Sequence, residues 1–317
     1  MTDLLPALHD PLDVILRREA LQAGMTEREI VRLCRSGEWT RVRHGAYMPR
    51  ARWIKLDERD QFAARGRAVL RQARAPVVLS HTSAVAELGA PLFGLDLRDV
   101  HVTRLDQRAG RAAAGVRQHQ GKLVATDVHS VRQARVTNAT KTALDVLTLT
   151  CVESGLCIVN DLLHRGLTTE EQLHARYALM ERNPFTLRAG LVLRLADARV
   201  ESIGESRTYF LCWHQGLPAP VPQYRVEGSD GQLVASLDFA WPHLGVWAEF
   251  DGKIKYGALL REGQHPSDVV VAEKKREDRV RELTGWTCIR LTWQDLAQPE
   301  QTAARIRRCF TRATSNP

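Results

Sequence analysis

Residues 233–253 read LVASLDFAWPHLGVWAEFDGK and decide the expected architecture of the C-terminal part of the chain. Two strand-like runs of largely apolar residues flank Pro242-His243-Leu244-Gly245, which has the composition of a tight turn. This pattern predicts a β-hairpin, and a turn of two or of four residues gives the same register. One face of the hairpin then contains only apolar pairs: Leu237 with Phe250, Phe239 with Ala248, and Trp241 with Val246.

The other face of the predicted hairpin places two carboxylates opposite each other. Asp238 faces Glu249, and the next pair along the strands is Ser236 with Asp251. Opposed side chains lie about 4.5–5.5 Å apart, and like charges at that distance destabilise a sheet. A divalent cation is a natural counter-charge for such a pair, so the register predicts a metal site. The alternative is a solvated sheet face on which the two acids repel each other mildly.

Four segments of this region, in this order, resemble the very-short-patch-repair (Vsr)-like endonuclease domain of the PD-(D/E)xK nuclease superfamily. They are DFAWP from 238, AEFDGK from 248, EKKRED from 273 and GWTCIRLTWQDL from 285. The likeness covers about residues 198–312. It implies a restriction-endonuclease-like core with the element order αβββαβ and a deoxyribonuclease that depends on Mg²⁺ or Mn²⁺.

The resemblance also implies roles for individual residues. Asp238, Glu249 and the backbone carbonyl of Phe250 would bind the metal ion, with Asp251 as an auxiliary ligand or water-orienting group. Lys253 would place its charge near the attacking water, and Glu205, on the entry helix, would be a third acid near the metal. The chain departs from mismatch-repair members of the family, since it shows neither their histidines near the site nor a structural zinc motif.

Length and charge favour a multidomain protein with a polyanionic partner. The chain has 317 residues, which predicts two or three domains. Its 45 Lys and Arg residues against 37 Asp and Glu residues give a net charge of +8, which favours nucleic acid over a membrane surface. No apolar run is long enough to span a bilayer, and no signal peptide is evident, so the sequence predicts a cytoplasmic protein without a membrane partner.

The cysteines and histidines show no metal-binding spacing. The six cysteines are scattered, and none of them forms a C-x-x-C motif. They are therefore interpreted as reduced thiols, and no zinc site is predicted. The eleven histidines show no ligand spacing either.

The first fifty residues predict a winged helix-turn-helix. Asp10-Pro11 resembles a helix start, and a first helix is expected to end at Gly24. Thr26 and Glu29 form a capping box that opens a second helix over residues 27–35. The basic run WTRVRHGAYMP, from residue 39, then predicts a hairpin that turns at His44-Gly45.

The segment GMTEREIVRLCRSGEWTRVRHGAYMP, residues 24–49, resembles the N-terminal domain of AbiEi-type antitoxins. The resemblance implies DNA binding through a recognition helix and a wing. The expected DNA contacts on the helix are Arg28, Arg32 and Arg35, and those on the wing are Arg41, Arg43 and His44. The alternative is a winged helix that is used only for protein contacts.

The rest of the chain predicts two further domains. Residues 57–185 alternate helical and strand-like patterns and form an α/β middle domain of antitoxin-like type, after a winged-helix domain at 1–56. The basic segment Gln107–Lys122 is interpreted either as a solvated flap or as a phosphate-binding loop. Residues 186–317 form the nuclease-like domain, on whose second long helix Lys275, Arg276 and Arg279 are expected to contact DNA phosphates.

These patterns lead to two functional hypotheses within a mixed α/β fold class. The first is a metal-dependent DNA endonuclease that is targeted by its winged helix, in phage defence or mobile-element biology. The alternative is a non-catalytic DNA-binding regulator or antitoxin whose nuclease-like domain is degenerate. The partners expected are DNA and either a partner protein or a second copy of the chain.

Overall fold

The structure is a computed structural model that describes residues 10–180, 186–252 and 266–315. The fold is mixed α/β and divides by contacts between Cα atoms into two compact units. Unit 1 comprises Met1–Ile158 and Gly166–Leu193, and unit 2 comprises Val159–Arg165 and Arg194–Pro317. The three-domain boundaries expected from the sequence remain predictions. Lys253 lies outside the described residues.

The N-terminal part of unit 1 is a small winged-helix-like element. Its members, in chain order, are β1 Ile15–Leu16, α1 Arg17–Gln22, α2 Glu27–Arg35, β2 Trp39–Arg43, β3 Ala46–Pro49 and α3 Arg50–Trp53. The three strands form one antiparallel sheet in the order β1-β3-β2. The short turn at His44-Gly45 is confirmed, since Arg43 pairs with Ala46.

The first helix is shorter than the sequence predicts. Asp10 does not cap a helix, because its carboxylate accepts the Leu12 N–H in a local turn and pairs with Arg67. Ile15 and Leu16 are instead a strand beside β3, and the helix begins only at Arg17. The physical reason is that β3 offers these residues a pairing partner: Ile15 pairs with Tyr47 and Leu16 with Ala46, and both side chains are buried there.

The second helix begins and ends as predicted. The Thr26 hydroxyl accepts the Glu29 N–H at 3.2 Å, and the Glu29 carboxylate accepts the Thr26 N–H at 2.7 Å. This reciprocal capping satisfies two backbone donors at the helix start. Beyond the C-terminal end, Gly37 adopts a φ of +77°, a left-handed conformation that glycine adopts with little strain.

The remainder of unit 1 is built around a six-stranded sheet in the order β6-β7-β5-β4-β9-β8. The strands are β4 Val77–Leu79, β5 Val100–Arg104, β6 Ala112–Ala113, β7 Val116–Gln120, β8 Val128–Val131 and β9 Ala134–Thr137. The helices of this region are α4 Glu58–Gln72, α5 His81–Glu87, α6 Ala139–Leu147 and α8 Glu170–Ala178, while α7 Val152–His164 and α9 Leu187–Leu195 begin in unit 1 and end in unit 2. The basic segment Gln107–Lys122, interpreted from the sequence as either a solvated flap or a phosphate-binding loop, contains β6 and β7, and β7 pairs in parallel with β5.

Unit 2 contains a four-stranded sheet in the order β10-β11-β12-β13. Its elements are α10 Ile203–His214, β10 Val221–Glu227, β11 Leu233–Trp241, β12 Val246–Phe250, α11 Pro266–Thr284, β13 Thr287–Leu291, α12 Trp293–Leu296 and α13 Pro299–Ser315. The β10–β11 and β11–β12 pairs are antiparallel, and β12–β13 is parallel. The order helix, three strands, helix, strand is present, whereas the assignment to a nuclease core remains a prediction.

The hairpin of β11 and β12 has the predicted register. Phe239 pairs with Ala248 and Trp241 with Val246, and Gly245 closes a four-residue turn with a φ of +62°. The expected pair of Leu237 with Phe250 on one face is wrong, because Leu237 belongs to a different core cluster from Phe239 and Phe250. The alternation of faces breaks between Leu237 and Phe239. On the neighbouring strand, Gln223 has a φ of +47° and lies between their partners Tyr224 and Pro222.

No helix in the described part of the chain is long and apolar enough to cross a membrane. All six cysteines lie within it, and none of them forms a disulfide bond.

Candidate nucleic-acid interface and carboxylate site

Helix α2 presents one continuous stripe of exposed residues. Arg28, Val31, Arg32 and Arg35 are all exposed, and their spacing places them on one side of the helix. Val31, in the middle of this stripe, is 45% exposed. The stripe is therefore basic with an apolar centre.

The opposite side of α2 anchors the helix to the winged-helix core. Ile30 is buried, and Leu33 and Cys34 pack against the same cluster. Trp39 and Tyr47, on β2 and β3, complete this cluster with ring centroids 5.8 Å apart. Because one side of the helix is held in this way, the arginine stripe has a defined orientation on the domain surface.

Most of the positive charge on the stripe is not neutralised within the domain. Arg32 approaches Glu38 at 3.7 Å, but both side chains are more than half exposed, so the pair is weak. For Arg28 and Arg35, no other described residue places a carboxylate within 4.0 Å. Binding of phosphate groups to the stripe would therefore break only the weak pair of Arg32 with Glu38 among the ion pairs of the described residues.

The wing supplies further basic groups. Arg41 and His44 are exposed, whereas Arg43 is half-buried, and burial lowers the pKa of its guanidinium. The backbone carbonyl of His44 accepts a hydrogen bond from Gln72 Nε2 at 2.9 Å, which ties the wing tip to α4. Arg41 is thus the more accessible of the two wing arginines.

The carboxylate pair in unit 2 is partly buried and electrostatically coupled. Asp238 Oδ2 accepts the backbone N–H of Phe250 at 2.8 Å, so β11 and β12 are joined through this side chain. Burial, and then the nearby charge of Glu249, raises the pKa of Asp238 to about 7. The Phe250 hydrogen bond opposes this shift. The mutual repulsion that the sequence predicts is therefore present.

Arg276, on α11, provides a counter-charge. Its Nη2 donates to Glu249 Oε2 at 3.1 Å, and its Nη1 donates to the Ser236 carbonyl at 3.4 Å. The sequence assigned the counter-charge to a divalent cation, and the structure shows a guanidinium in that role for Glu249. The expected contact of Arg276 with DNA stays a prediction.

Glu205, on α10, is connected to the same region. It is 7% exposed, and its Oε2 accepts hydrogen bonds from the Glu201 N–H at 3.0 Å and from Gln223 Nε2 at 3.3 Å. Gln223 Oε1 in turn accepts the Ser236 hydroxyl at 2.9 Å. The charge of Glu205 also contributes to the raised pKa of Asp238. The structure therefore brings Glu205, Asp238 and Glu249 into electrostatic range.

The remaining predicted site residues, Asp251, Lys275 and Arg279, differ in burial and in their contacts. Asp251 is half-buried, and its backbone N–H donates to the Leu291 carbonyl at 2.7 Å. Lys275 and Arg279 are exposed on α11, and Arg279 pairs with Glu282 at 3.2 Å. The proposed roles of these residues in catalysis and DNA binding stay predictions.

A cluster that the sequence did not predict lies in unit 1. Among the described residues, only His81, His101 and His119 form a group of three His, Cys, Asp or Glu side chains whose ligand atoms all lie within 4.8 Å of one another. They are distant in sequence, and so no spacing motif marks them. The one available signal was the polar His101 between the apolar residues Val100 and Val102.

The sheet and first two helices of the winged-helix-like element, from β1 to β3, lie within a segment that matches a known family. Residues 3–50 match the family described as "Transcriptional regulator, AbiEi antitoxin". The match ends at residue 50 and does not bear on the C-terminal unit.

Longer similarity extends to two proteins of Mycobacterium tuberculosis, one from strain CDC 1551 / Oshkosh and one from strain ATCC 25618 / H37Rv. Each is 28% identical over 257 residues, which is 80% of this chain and 90% of the relative. Both relatives are described as uncharacterized proteins. The functional information from these comparisons therefore comes from the family match of residues 3–50.

Proposed function

We propose that this protein is a DNA-binding transcriptional regulator of antitoxin type, whose winged helix contacts duplex DNA. The observation that carries the proposal is the exposed stripe of Arg28, Val31, Arg32 and Arg35 on a helix anchored by its other side. The family match of residues 3–50 supports the same function.

The chemistry of the stripe suits a recognition helix. In helix-turn-helix domains the second helix lies in the major groove, where arginine donates two hydrogen bonds to guanine and aliphatic groups contact the thymine methyl. Val31 would supply such an apolar contact between its arginine neighbours. Arg41 on the wing would contact the phosphate backbone and so fix the register of the helix on the duplex.

The match of residues 3–50 to an antitoxin family also indicates that the chain binds a second protein. We infer that a toxin protein binds this chain, while the winged helix remains the DNA-binding element. Affinity capture of a binding protein by the full-length chain, followed by size-exclusion chromatography of the purified pair, tests this inference. Separate elution of the two proteins at micromolar concentration would oppose it.

The experiment that tests DNA binding uses the full-length protein. A duplex is first selected from a random-sequence pool, and its affinity is compared with that of a shuffled duplex at matched salt. Arg28→Ala combined with Arg35→Ala is expected to weaken binding to the selected duplex and to reduce discrimination, by about 1–3 kcal/mol for each lost base contact. Arg98→Ala is the control, since Arg98 is exposed and lies outside the winged helix.

Equal affinity of the double variant and the wild-type protein for the selected duplex would refute the assignment of α2 as the recognition helix. A wild-type protein that binds selected and shuffled duplexes equally would leave only sequence-independent binding. In that case the regulator function fails.

A second candidate function is metal-dependent phosphodiester hydrolysis in unit 2. The observation in its favour is the raised pKa of Asp238 beside Glu249, since two repelling carboxylates offer the hard oxygen donors that Mg²⁺ prefers. Asp238 and Glu249 would hold the ion, which would lower the pKa of a bound water and neutralise charge on the phosphate. Arg276, already next to Glu249, would bind a phosphate oxygen.

Plasmid nicking in Mn²⁺ or in EDTA tests this candidate. Asp238→Asn and Glu249→Gln are expected to abolish any metal-dependent cleavage, whereas Asp230→Asn, in an exposed turn of the same unit, is expected to leave it unchanged. If the wild-type protein cleaves no DNA, or if both variants cleave as well as wild type, the hydrolase function is refuted. The regulator function does not depend on this outcome.

A further inference from the structure

Three histidines from three separate elements meet inside unit 1. His81 is the first residue of α5, His101 lies on β5 and His119 lies on the parallel neighbour β7. His101 Nδ1 is 3.0 Å from His119 Nε2, and the rings of His81 and His119 stack with centroids 3.7 Å apart. The packing of strands and helix, rather than local sequence, brings the three rings together.

The distances within the cluster are close to those of metal ligands. Two imidazole nitrogens bound at 2.0–2.1 Å to one tetrahedral zinc ion lie about 3.3 Å apart. The His101 and His119 nitrogens are at 3.0 Å, and the ligand atoms of all three residues lie within 4.8 Å of one another. The planes of the stacked His81 and His119 rings are 18° apart, so these rings must turn until their nitrogen lone pairs converge on one ion.

The rings are held in a form that can donate electron pairs. His81 and His101 are buried and His119 is half-buried. Burial disfavours a charged ring, and the neutral imidazole is the form that binds a metal ion.

The surrounding groups orient the first ring. Ser80 Oγ lies 2.9 Å from His81 Nδ1 and accepts the Thr103 hydroxyl at 2.8 Å. A hydroxyl partner on Nδ1 leaves Nε2 as the ligand atom of His81, which is the usual arrangement of metal-binding histidines. His81 also has a φ of +49°, in the left-handed region that a non-glycine residue adopts only when its surroundings compensate for the strain.

The cations near the rings have partners of their own. Lys141 pairs with Asp145, and Arg117 approaches Asp99 at 3.8 Å. Their positive charges are thus partly offset. They do not exclude a divalent ion from the cluster.

We propose that His81, His101 and His119 form a binding site for one transition-metal ion of the zinc class, with three imidazole ligands and an open fourth coordination position. Borderline-soft ions prefer imidazole nitrogen, whereas Mg²⁺ and Ca²⁺ prefer oxygen ligands. The site lies outside the winged helix and is independent of the proposed DNA binding.

Direct metal binding to the full-length protein tests the proposal. The protein is treated with a chelator and titrated with Co²⁺, whose visible absorption reports a tetrahedral site, and Zn²⁺ is then added as a competitor. An excess of Mg²⁺ is present throughout, so that carboxylate sites such as Asp238 and Glu249 are occupied by the harder ion. The expected result is one Co²⁺ per chain, which Zn²⁺ displaces.

Variants of the cluster identify the ligands. His119→Gln and His101→Gln are expected to lose the Co²⁺ absorption band. Ser80→Ala should retain the band but weaken the affinity about 10–100-fold, because Ser80 only orients a ligand. His129→Gln is the matched control, since His129 is exposed on β8 of the same unit.

Absence of stoichiometric Co²⁺ and Zn²⁺ binding by the wild-type protein would overturn the proposal, whatever the folding of the variants. So would a His119→Gln variant that binds Co²⁺ as tightly as wild type, or loss of binding in His129→Gln. Far-UV circular dichroism accompanies each titration. If both ligand variants are unfolded, the Ser80→Ala affinity and the wild-type stoichiometry decide the outcome.

Discussion

Arg276 Nη2 on α11 lies 3.1 Å from Glu249 Oε2 on β12, and the charge of Arg276 also lowers the pKa of Asp238. The carboxylate pair is therefore compensated only in part, since burial and repulsion still raise the pKa of Asp238 to about 7. In the absence of a bound cation, the proton on Asp238 relieves the remaining repulsion near neutral pH.

Asp238→Asn is expected to remove a pH dependence of stability. The Asp238 pKa rises from 3.8 in the unfolded chain to about 7 in the fold, so the folded protein binds this proton more tightly. Protonated Asp238 stabilises the fold fully at a pH below its pKa in the unfolded chain. This stabilisation is lost as the pH rises through the pKa of Asp238 in the folded protein. Its slope is at most about 1.4 kcal/mol per pH unit. Urea unfolding in EDTA should show the stability of Asp238→Asn relative to wild type increasing with pH between about 5 and about 7.

Two further variants control this measurement. Asp230→Asn, in an exposed turn, should leave the pH slope of wild type unchanged. Arg276→Gln removes a charge that lowers the Asp238 pKa and should move the transition to higher pH. If the difference in unfolding free energy between Asp238→Asn and wild type does not change between pH about 5 and about 7, the raised pKa of Asp238 is contradicted.

Glu87→Ala is expected to destabilise the protein strongly. Arg67 is 5% exposed and binds Glu87 through two hydrogen bonds at 2.9 and 3.1 Å, with Asp10 as a second partner at 3.0 Å. Removal of one partner from a buried ion pair costs about 3–5 kcal/mol, and the remaining Asp10 contact favours the lower end of that range. Thermal unfolding measures the loss. Asp96→Ala, which breaks the exposed pair with Arg98, should have no measurable effect, and an equal effect of both variants would refute the argument.

Gly204→Ala is expected to disturb the contact between α10 and β12. A Cβ atom at Gly204 would overlap the ring of Phe250, and that ring is also packed edge-on against Trp293 at 4.9 Å. Overpacking of this kind costs about 1–3 kcal/mol. Phe250→Leu should reduce the cost in a double-mutant cycle of unfolding free energies. Gly252→Ala is the control, because its Cβ would meet Phe250 at an ordinary 3.5 Å.

Arg41→Ala is expected to reduce the salt dependence of DNA binding. Arg41 is exposed on the wing, and each lost phosphate contact lowers the slope of log affinity against log salt by about one unit. Discrimination between selected and shuffled duplexes should change little, because phosphate contacts carry no base information. Fluorescence anisotropy over a salt series measures both quantities. An unchanged slope, equal to that of Arg98→Ala, would exclude Arg41 from the interface.

Local patterns in the sequence were sufficient to predict several elements of the fold. The capping box at Thr26 and Glu29, the wing turn at Gly45 and the register of Phe239 with Ala248 are all found as predicted. Each depends on hydrogen bonds or side-chain alternation within a few residues of a turn or a helix end. The predicted αβββαβ order of elements in unit 2 is also present, because long periodic segments are the clearest local signal.

The remaining features depend on contacts between residues that are distant in sequence. Ile15 and Leu16 became a strand because β3 offered a partner, and Arg276 approached Glu249 because α11 packs against β11 and places the guanidinium over the sheet. His81, His101 and His119 are brought together by the pairing of β4, β5 and β7, which no spacing rule encodes. The sequence alone thus determined the net charge, the arginine spacing on α2 and the hairpin. Tertiary packing decided which charged side chains and which histidines come into contact, because those contacts depend on the order of strands in a sheet.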